Sequence, residues 1–214
     1  MKYKNFIFDF DGVLAESVHI KTEAFYKLYN PFGIEIAKKV VEHHKANGGM
    51  SRFEKFQHYH KVFLNINLNN NGIESLSIKF SHLVVQGVID SDEVTGATWF
   101  LKKYSNVKKW IVSATPTVEI CEIVNRRNMA EHFIKIYGSP EKKTPVVEKI
   151  ITKNNLIKNE TVFLGDALSD HKAAEEKDID FLLRSTPENK SLFLGALNLI
   201  SFKDFFELDK QINI

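Results

Sequence analysis

The feature that most constrains this chain is a short apolar and aromatic run, Tyr3 to Phe8, that stops abruptly at Asp9-Phe10-Asp11-Gly12. It shows little alternation of apolar and polar residues, which is the pattern of a strand buried on both faces inside a parallel sheet. Similar runs recur at Lys109–Val112, His132–Tyr137, Thr161–Leu164 and Ile179–Leu183, and the middle three are each followed by a turn and a helical pattern. Repetition of strand, turn and helix predicts an α/β protein whose core is a Rossmann-like, doubly wound parallel sheet.

One block breaks this rhythm. From about Ser17 to Gly87 there is no convincing strand, only helical stretches separated by Pro31-Phe32-Gly33, Asn47-Gly48-Gly49 and Asn69-Asn70-Asn71-Gly72. Ser51 and Glu54 fit a capping box, opening a helix with Phe53, Phe56, Tyr59, Val62 and Phe63 at helical spacing. The expected organisation is a core of residues 1–15 and 88–214 with an inserted α-helical cap, residues 16–87.

Composition narrows the classes. With 43% hydrophobic and 26% charged residues the chain reads as an ordinary globular protein. A formal charge of +2 carried by scattered lysines argues against a nucleic-acid partner. Cys121 is the only cysteine, so no internal disulfide can form. No stretch approaches the roughly 20 apolar residues a bilayer requires, and the N-terminal run is broken by Asp9 and Asp11 without a cleavage site. A cytoplasmic protein without a membrane partner, monomer or homodimer, is the expectation.

Four motifs lie at the C-terminal ends of predicted strands, the edge where open α/β sheets bind ligands. In the first, Asp9 and Asp11 can point two carboxylates into one site, with Gly12 permitting a sharp exit turn, although Asp and Gly also favour any strand-ending turn. In the second, Ser113-Ala114-Thr115-Pro116, a serine and the free amides of a helix start make a natural phosphate cradle; Thr115 as a plain N-cap is the simpler reading. In the third, Lys142-Lys143-Thr144-Pro145, a lysine ahead of a helix capped by Thr144 can neutralise phosphate and carboxylate together. The fourth, Gly165-Asp166-Ala167-Leu168-Ser169-Asp170, offers two acids four residues apart, an oxygen donor set suited to Mg²⁺, or else a turn with Ser169 as N-cap.

Taken in order, FDFDGVL, VSATP, a lysine before a helix and GDALSD resemble the haloacid dehalogenase-like hydrolase superfamily. The likeness is greatest to its helical-cap branch of phosphoglycolate phosphatase-like and β-phosphoglucomutase-like enzymes. The segment between Lys143 and Asp166 is too short for the other cap placement of this superfamily. The resemblance implies Asp9 as nucleophile, Asp11 as general acid and base, and Ser113, Ala114 and Gly12 around the phosphoryl oxygens. It implies Lys143 as the balancing charge, with Lys142 as its rival, and Mg²⁺ held by Asp9, the backbone carbonyl of Asp11, Asp166 and Asp170. The implied substrate is a small phosphorylated metabolite. Val13 replaces a more usual Thr and Glu16 a more usual Asp, and Val13 keeps a mutase-like reading open. A binding protein that retains the fold without turnover is the remaining alternative.

Substrate choice is expected to lie in the cap. The Asn47-to-Arg52 segment can dip towards the site with Arg52 at its tip, gripping a substrate anion, and Glu16 and His19 can face the entrance. His43, His44, His58 and His60 do not share helical faces in a ligand pattern and read as packing residues of the cap.

Overall fold

The computed structural model describes residues 2–195 and 199–213. Its centre is a parallel six-stranded sheet, β1 (Asn5–Phe8), β2 (Lys108–Pro116), β3 (Lys135–Ser139), β4 (Thr161–Gly165), β5 (Asp180–Arg184) and β6 (Ser201–Phe202). The spatial order is β3-β2-β1-β4-β5-β6. The connection therefore reverses direction beside β1, creating the crevice that doubly wound sheets use for ligands. Phe8 is in register with Ile111 of β2 and Leu164 of β4, so the three following segments emerge side by side.

Successive side chains of a strand face opposite ways. Phe6 and Phe8 enter the core under α5 (Ala97–Lys103), α6 (Thr117–Arg126) and α9 (Phe205–Ile212), where Phe100 and Phe205 meet them edge-on or tilted. Ile7 enters the opposite core with Trp110 and Phe163, under α7 (Lys143–Lys153) and α8 (Leu168–Lys177). Both faces are covered, which is why these strands lack polar alternation.

The cap comprises α1 (Val18–Tyr29), α2 (Ile34–Ala46), α3 (Arg52–His58) and α4 (Asn70–Asp90). Its interior is aromatic: Phe25 lies 4.4 Å from Phe80, and Tyr29 meets Tyr59 edge-on at 5.3 Å. The two connections to the core run together, with Glu16 donating to Asp92 O and Val94 to Leu14 O.

Several sequence expectations are corrected. β2 continues through Pro116, so Thr115 is a strand residue and Pro116 caps α6 rather than entering its first turn. α7 begins at Lys143 with Lys142 as N-cap, displacing Thr144 from that role. Ala167, not Ser169, precedes α8. β3 starts at Lys135, because Ala130–His132 form a 3-10 turn. α4 runs through Gly87 to Asp90. The Ser51–Glu54 capping box is present and α3 buries Arg52 and Lys55 on the face of Phe56; past it, Tyr59–Phe63 form a π-helical turn in which Val62 is exposed.

Candidate active site

Asp9 is the first residue beyond β1, still tied to the sheet by its N–H on Leu164 O. Its carboxylate accepts from the Phe10 N–H at 2.7 Å and from Lys143 Nζ at 2.7 Å. The chain then turns at Gly12, whose φ of +78° suits glycine; a Cβ there would also lie 2.3 Å from Asp166 Oδ2. Asp166 follows β4, and Asp170 sits in the first turn of α8, where it accepts from the Ala167 N–H. Lys143, the first residue of α7, reaches both Asp9 and Asp170. Lys142 points outward to Glu54 across 3.4 Å. Helix phase separates the neighbours: the first faces solvent and the second the site.

Asp9, Asp166 and Asp170 each bring an oxygen within 4.8 Å of the other two. Three carboxylates face one ammonium, an excess that burial makes costly. Burial, with the charges of Asp170 and Asp11 adding to it against the pull of Lys143, raises Asp9 from 3.8 to about 6. Burial and the charges of Asp9 and Asp170 raise Asp166 well above the usual carboxylate range. No hydrogen bond reaches the Asp166 carboxylate among the described residues, while Asn189 fixes its backbone oxygen at 2.9 Å. Burial opposes the charge on Lys143, but Asp170 and Asp9 outweigh it and hold this ammonium protonated. An all-oxygen cluster with one unpartnered carboxylate and excess negative charge fits a hard divalent cation.

Asp11 lies apart from that cluster. Its carboxylate accepts from Ser17 Oγ at 2.7 Å, from Thr115 Oγ1 at 3.1 Å, and from Lys21 Nζ. Burial pushes its pKa up, yet Lys21 and the two hydroxyls prevail and hold the group below the usual range. Ser17 precedes α1 and Lys21 is one turn along it, so the cap's first helix clamps the core's second carboxylate. Neither Lys21 nor Thr115 stood out in the sequence as a partner of Asp11; the short distance from Asp11 to the start of α1 is the one signal that points to Lys21.

Ser113 is buried and accepts from the Thr115 N–H at 3.1 Å, while Ala114 lines a small cavity between cap and core. The Gly48-Gly49 loop does dip onto the core: a Cβ on Gly49 would overlap Ser169 Oγ. Arg52 is not free at the tip. It is buried, donates to Ser81 at 2.8 Å, and forms a bidentate pair with Glu119 at the start of α6. Its charge is already balanced by that partner, which corrects the picture of an open anion grip. Glu16 pairs with Arg184 at the end of β5, and His19 is exposed on α1.

A family described as haloacid dehalogenase-like hydrolase matches residues 6–183. No curated protein matches the sequence. Among solved structures, a β-phosphoglucomutase from Clostridium difficile superposes with a TM-score of 0.74 at 20% identity, over 99% of this chain and 97% of that one. A predicted phosphoglycolate phosphatase from Haemophilus somnus gives 0.74 at 16% identity, over 99% of each chain. A predicted phosphatase from Clostridium acetobutylicum gives 0.70 at 17% identity, over 100% of this chain and 99% of that one. At these identities the structural likeness speaks for the fold.

Proposed function

The chain belongs to the haloacid dehalogenase-like hydrolases, and on that premise we propose that it is a Mg²⁺-dependent phosphatase of small phosphorylated metabolites. One observation carries the reading: a buried Asp9 bonded to Lys143, grouped with Asp166 and Asp170, and a second carboxylate, Asp11, held in a separate polar pocket. Two carboxylates in contrasting electrostatic settings suit a nucleophile and a proton carrier.

In this mechanism Asp9 attacks phosphorus and forms an aspartyl-phosphate, and the ester oxygen departs with a proton from Asp11. Water then attacks the phosphorus, giving a proton back to Asp11, and Asp9 is regenerated as phosphate leaves. Lys143 keeps Asp9 oriented and offsets charge on the incoming phosphoryl oxygens. Lys21 must leave Asp11 before that carboxyl can carry a proton, and the substrate's own anionic oxygens are its natural alternative partner. Asp9, Asp166 and Asp170 would hold Mg²⁺, which when bound offsets the repulsion between carboxylate and phosphate.

Phosphate release from p-nitrophenyl phosphate and metabolite esters is expected with Mg²⁺ and not with EDTA. Release of equal rate under both conditions contradicts the metal requirement, and isomer without phosphate from a sugar phosphate reassigns the chemistry to a mutase.

Metal binding should also register in stability. Asp9 has its pKa raised by folding, so its protonation stabilises the metal-free fold at low pH, and this is lost as pH rises through about 6. Mg²⁺ competes with those protons. Its stabilisation, about 2.7 kcal/mol at a hundredfold excess over Kd, is therefore expected to be larger at pH 8 than at pH 5. Thermal melts with Mg²⁺ or EDTA at both pH values test this; a shift independent of pH speaks against the carboxylate cluster as the binding site.

A further inference from the structure

Lys55 is a lysine that the mechanism does not use and that is almost fully buried, at 1% exposure. Other buried cations are accounted for: Arg52 by Glu119, Lys143 by Asp9 and Asp170, and Lys109 by the carbonyls of Tyr104 and Val107. Lys55 has no anion. Among the described residues its one hydrogen-bond partner is His44 Nδ1, at 2.8 Å, and the face of Phe25 lies 5.5 Å away. The adjacent Glu54 is turned outward to Ser51 and Lys142.

His44 cannot compensate the charge. Burial first, and then the nearby charge of Lys55, push its pKa down to about 2, so the ring is neutral and accepts the ammonium's proton. Burial, reinforced by Lys21, pushes Lys55 itself down to about 7. A buried cation without a counter-ion costs several kcal/mol, and an arriving anion would recover much of that.

The location gives the anion's source. Lys55 and His44 line a cavity of about 30 Å³ shared with Lys21, Ala114 and Thr115. Lys21 and Thr115 are the residues that hydrogen-bond Asp11. A group bound at Lys55 is therefore next to the place of a substrate whose ester oxygen faces Asp11. A water needs roughly 10–15 Å³ by this measure, so the cavity has room for a group of carboxylate size beside Lys55. Arg52 lies one turn before Lys55 on the same helix, but Glu119 already occupies it.

We propose that Lys55, oriented by His44, is the specificity-determining cation for a carboxylate carried by the substrate, so that short phosphorylated hydroxy acids are preferred over neutral polyol or sugar phosphates. This rests on the phosphatase reading above. It assigns selectivity to a residue that, among the described residues, has no hydrogen bond to Asp9, Asp11, Ser113 or Lys143.

The test compares 3-phosphoglycerate with glycerol 3-phosphate, which differ in a carboxylate against a hydroxymethyl group. Wild-type enzyme is expected to favour the acid by at least about tenfold in kcat/KM, in line with one charge-assisted contact of about 1.5–3 kcal/mol. Lys55→Met is expected to bring the ratio close to one, mainly through KM, and to leave p-nitrophenyl phosphate turnover within about twofold of wild type, as only the second anionic group is read there. The variant should melt no lower than wild type, because an unpaired buried charge is replaced by an apolar chain of similar length. Lys55→Gln provides the same comparison if the methionine variant does not fold. Turnover of p-nitrophenyl phosphate with no preference for the acid overturns this proposal alone, as does a preference that survives loss of Lys55. An enzyme inert to every ester overturns both this proposal and the phosphatase reading.

Discussion

Asp9→Asn is expected to lower phosphate-ester turnover by at least about a thousandfold, as loss of a covalent nucleophile does elsewhere, while the protein folds normally. The amide keeps an acceptor for the Phe10 N–H, and Lys143 keeps Asp170. What is lost is the oxygen nucleophile and one of three crowded negative charges. The metal-free variant should therefore melt at or above the wild-type temperature near neutral pH, since Asp9 is destabilised there as an anion. Steady-state assays paired with thermal melts separate the two effects. Undiminished turnover would remove Asp9 from the mechanism, and a folded, inactive variant is the outcome the site requires.

The second large effect is expected at Lys143, and it has the opposite sign in stability. Lys143→Met removes the ammonium that bridges Asp9 and Asp170 and leaves the buried carboxyls of Asp9 and Asp170 facing each other and the half-buried Asp166. Breaking a buried pair from one side typically costs about 3–5 kcal/mol, or roughly 6–20 °C in a chain of this size. The pH dependence follows from the direction of the shifts. Without Lys143 the raised carboxyls of Asp9 and Asp166 rise further, so the penalty is greatest above their folded pKa values and shrinks as they protonate. Wild type and variant should converge in melting temperature towards pH 4 and diverge towards pH 8. Mg²⁺ should restore part of the stability and little of the activity, because the metal supplies charge but does not replace the ammonium that Lys143 sets beside the incoming phosphoryl oxygens. A variant that melts like wild type at pH 8 would mean that the bridge contributes nothing.

The parts of this molecule that were legible in the sequence are those whose determinants are local. Tyr3 to Phe8 and Thr161 to Leu164 announce buried strands by composition, and the acids that follow them arrive at the sheet edge wherever such strands end. The Ser51–Glu54 cap reads from two residues. Helix phase was harder. Starting α7 at Lys143 instead of after Thr144 brings two more residues into the helix, and such boundaries depend on tertiary contacts as much as on capping residues. Pairings between cap and core carried no local trace. Glu119 is one more acid on an amphipathic helix until Arg52 arrives opposite, and Lys21 and Lys55 are two among scattered lysines until the closed cap sets them around one cavity.

The position of β1 has a consequence for how the chain is made. Its register partners are Lys108 to Ile111 on one side and Thr161 to Leu164 on the other. Both lie far downstream, so β1 leaves the ribosome well before either of its neighbours. Phe6, Ile7 and Phe8 stay unpaired while the whole helical insertion is synthesised, and are paired on one side only until β4 emerges. Long-range pairings of this kind slow folding and leave apolar edges open to other chains. The segment that ends in Asp9 thus stands to gain from a chaperone during translation, and the candidate site is assembled only when β1 meets β4.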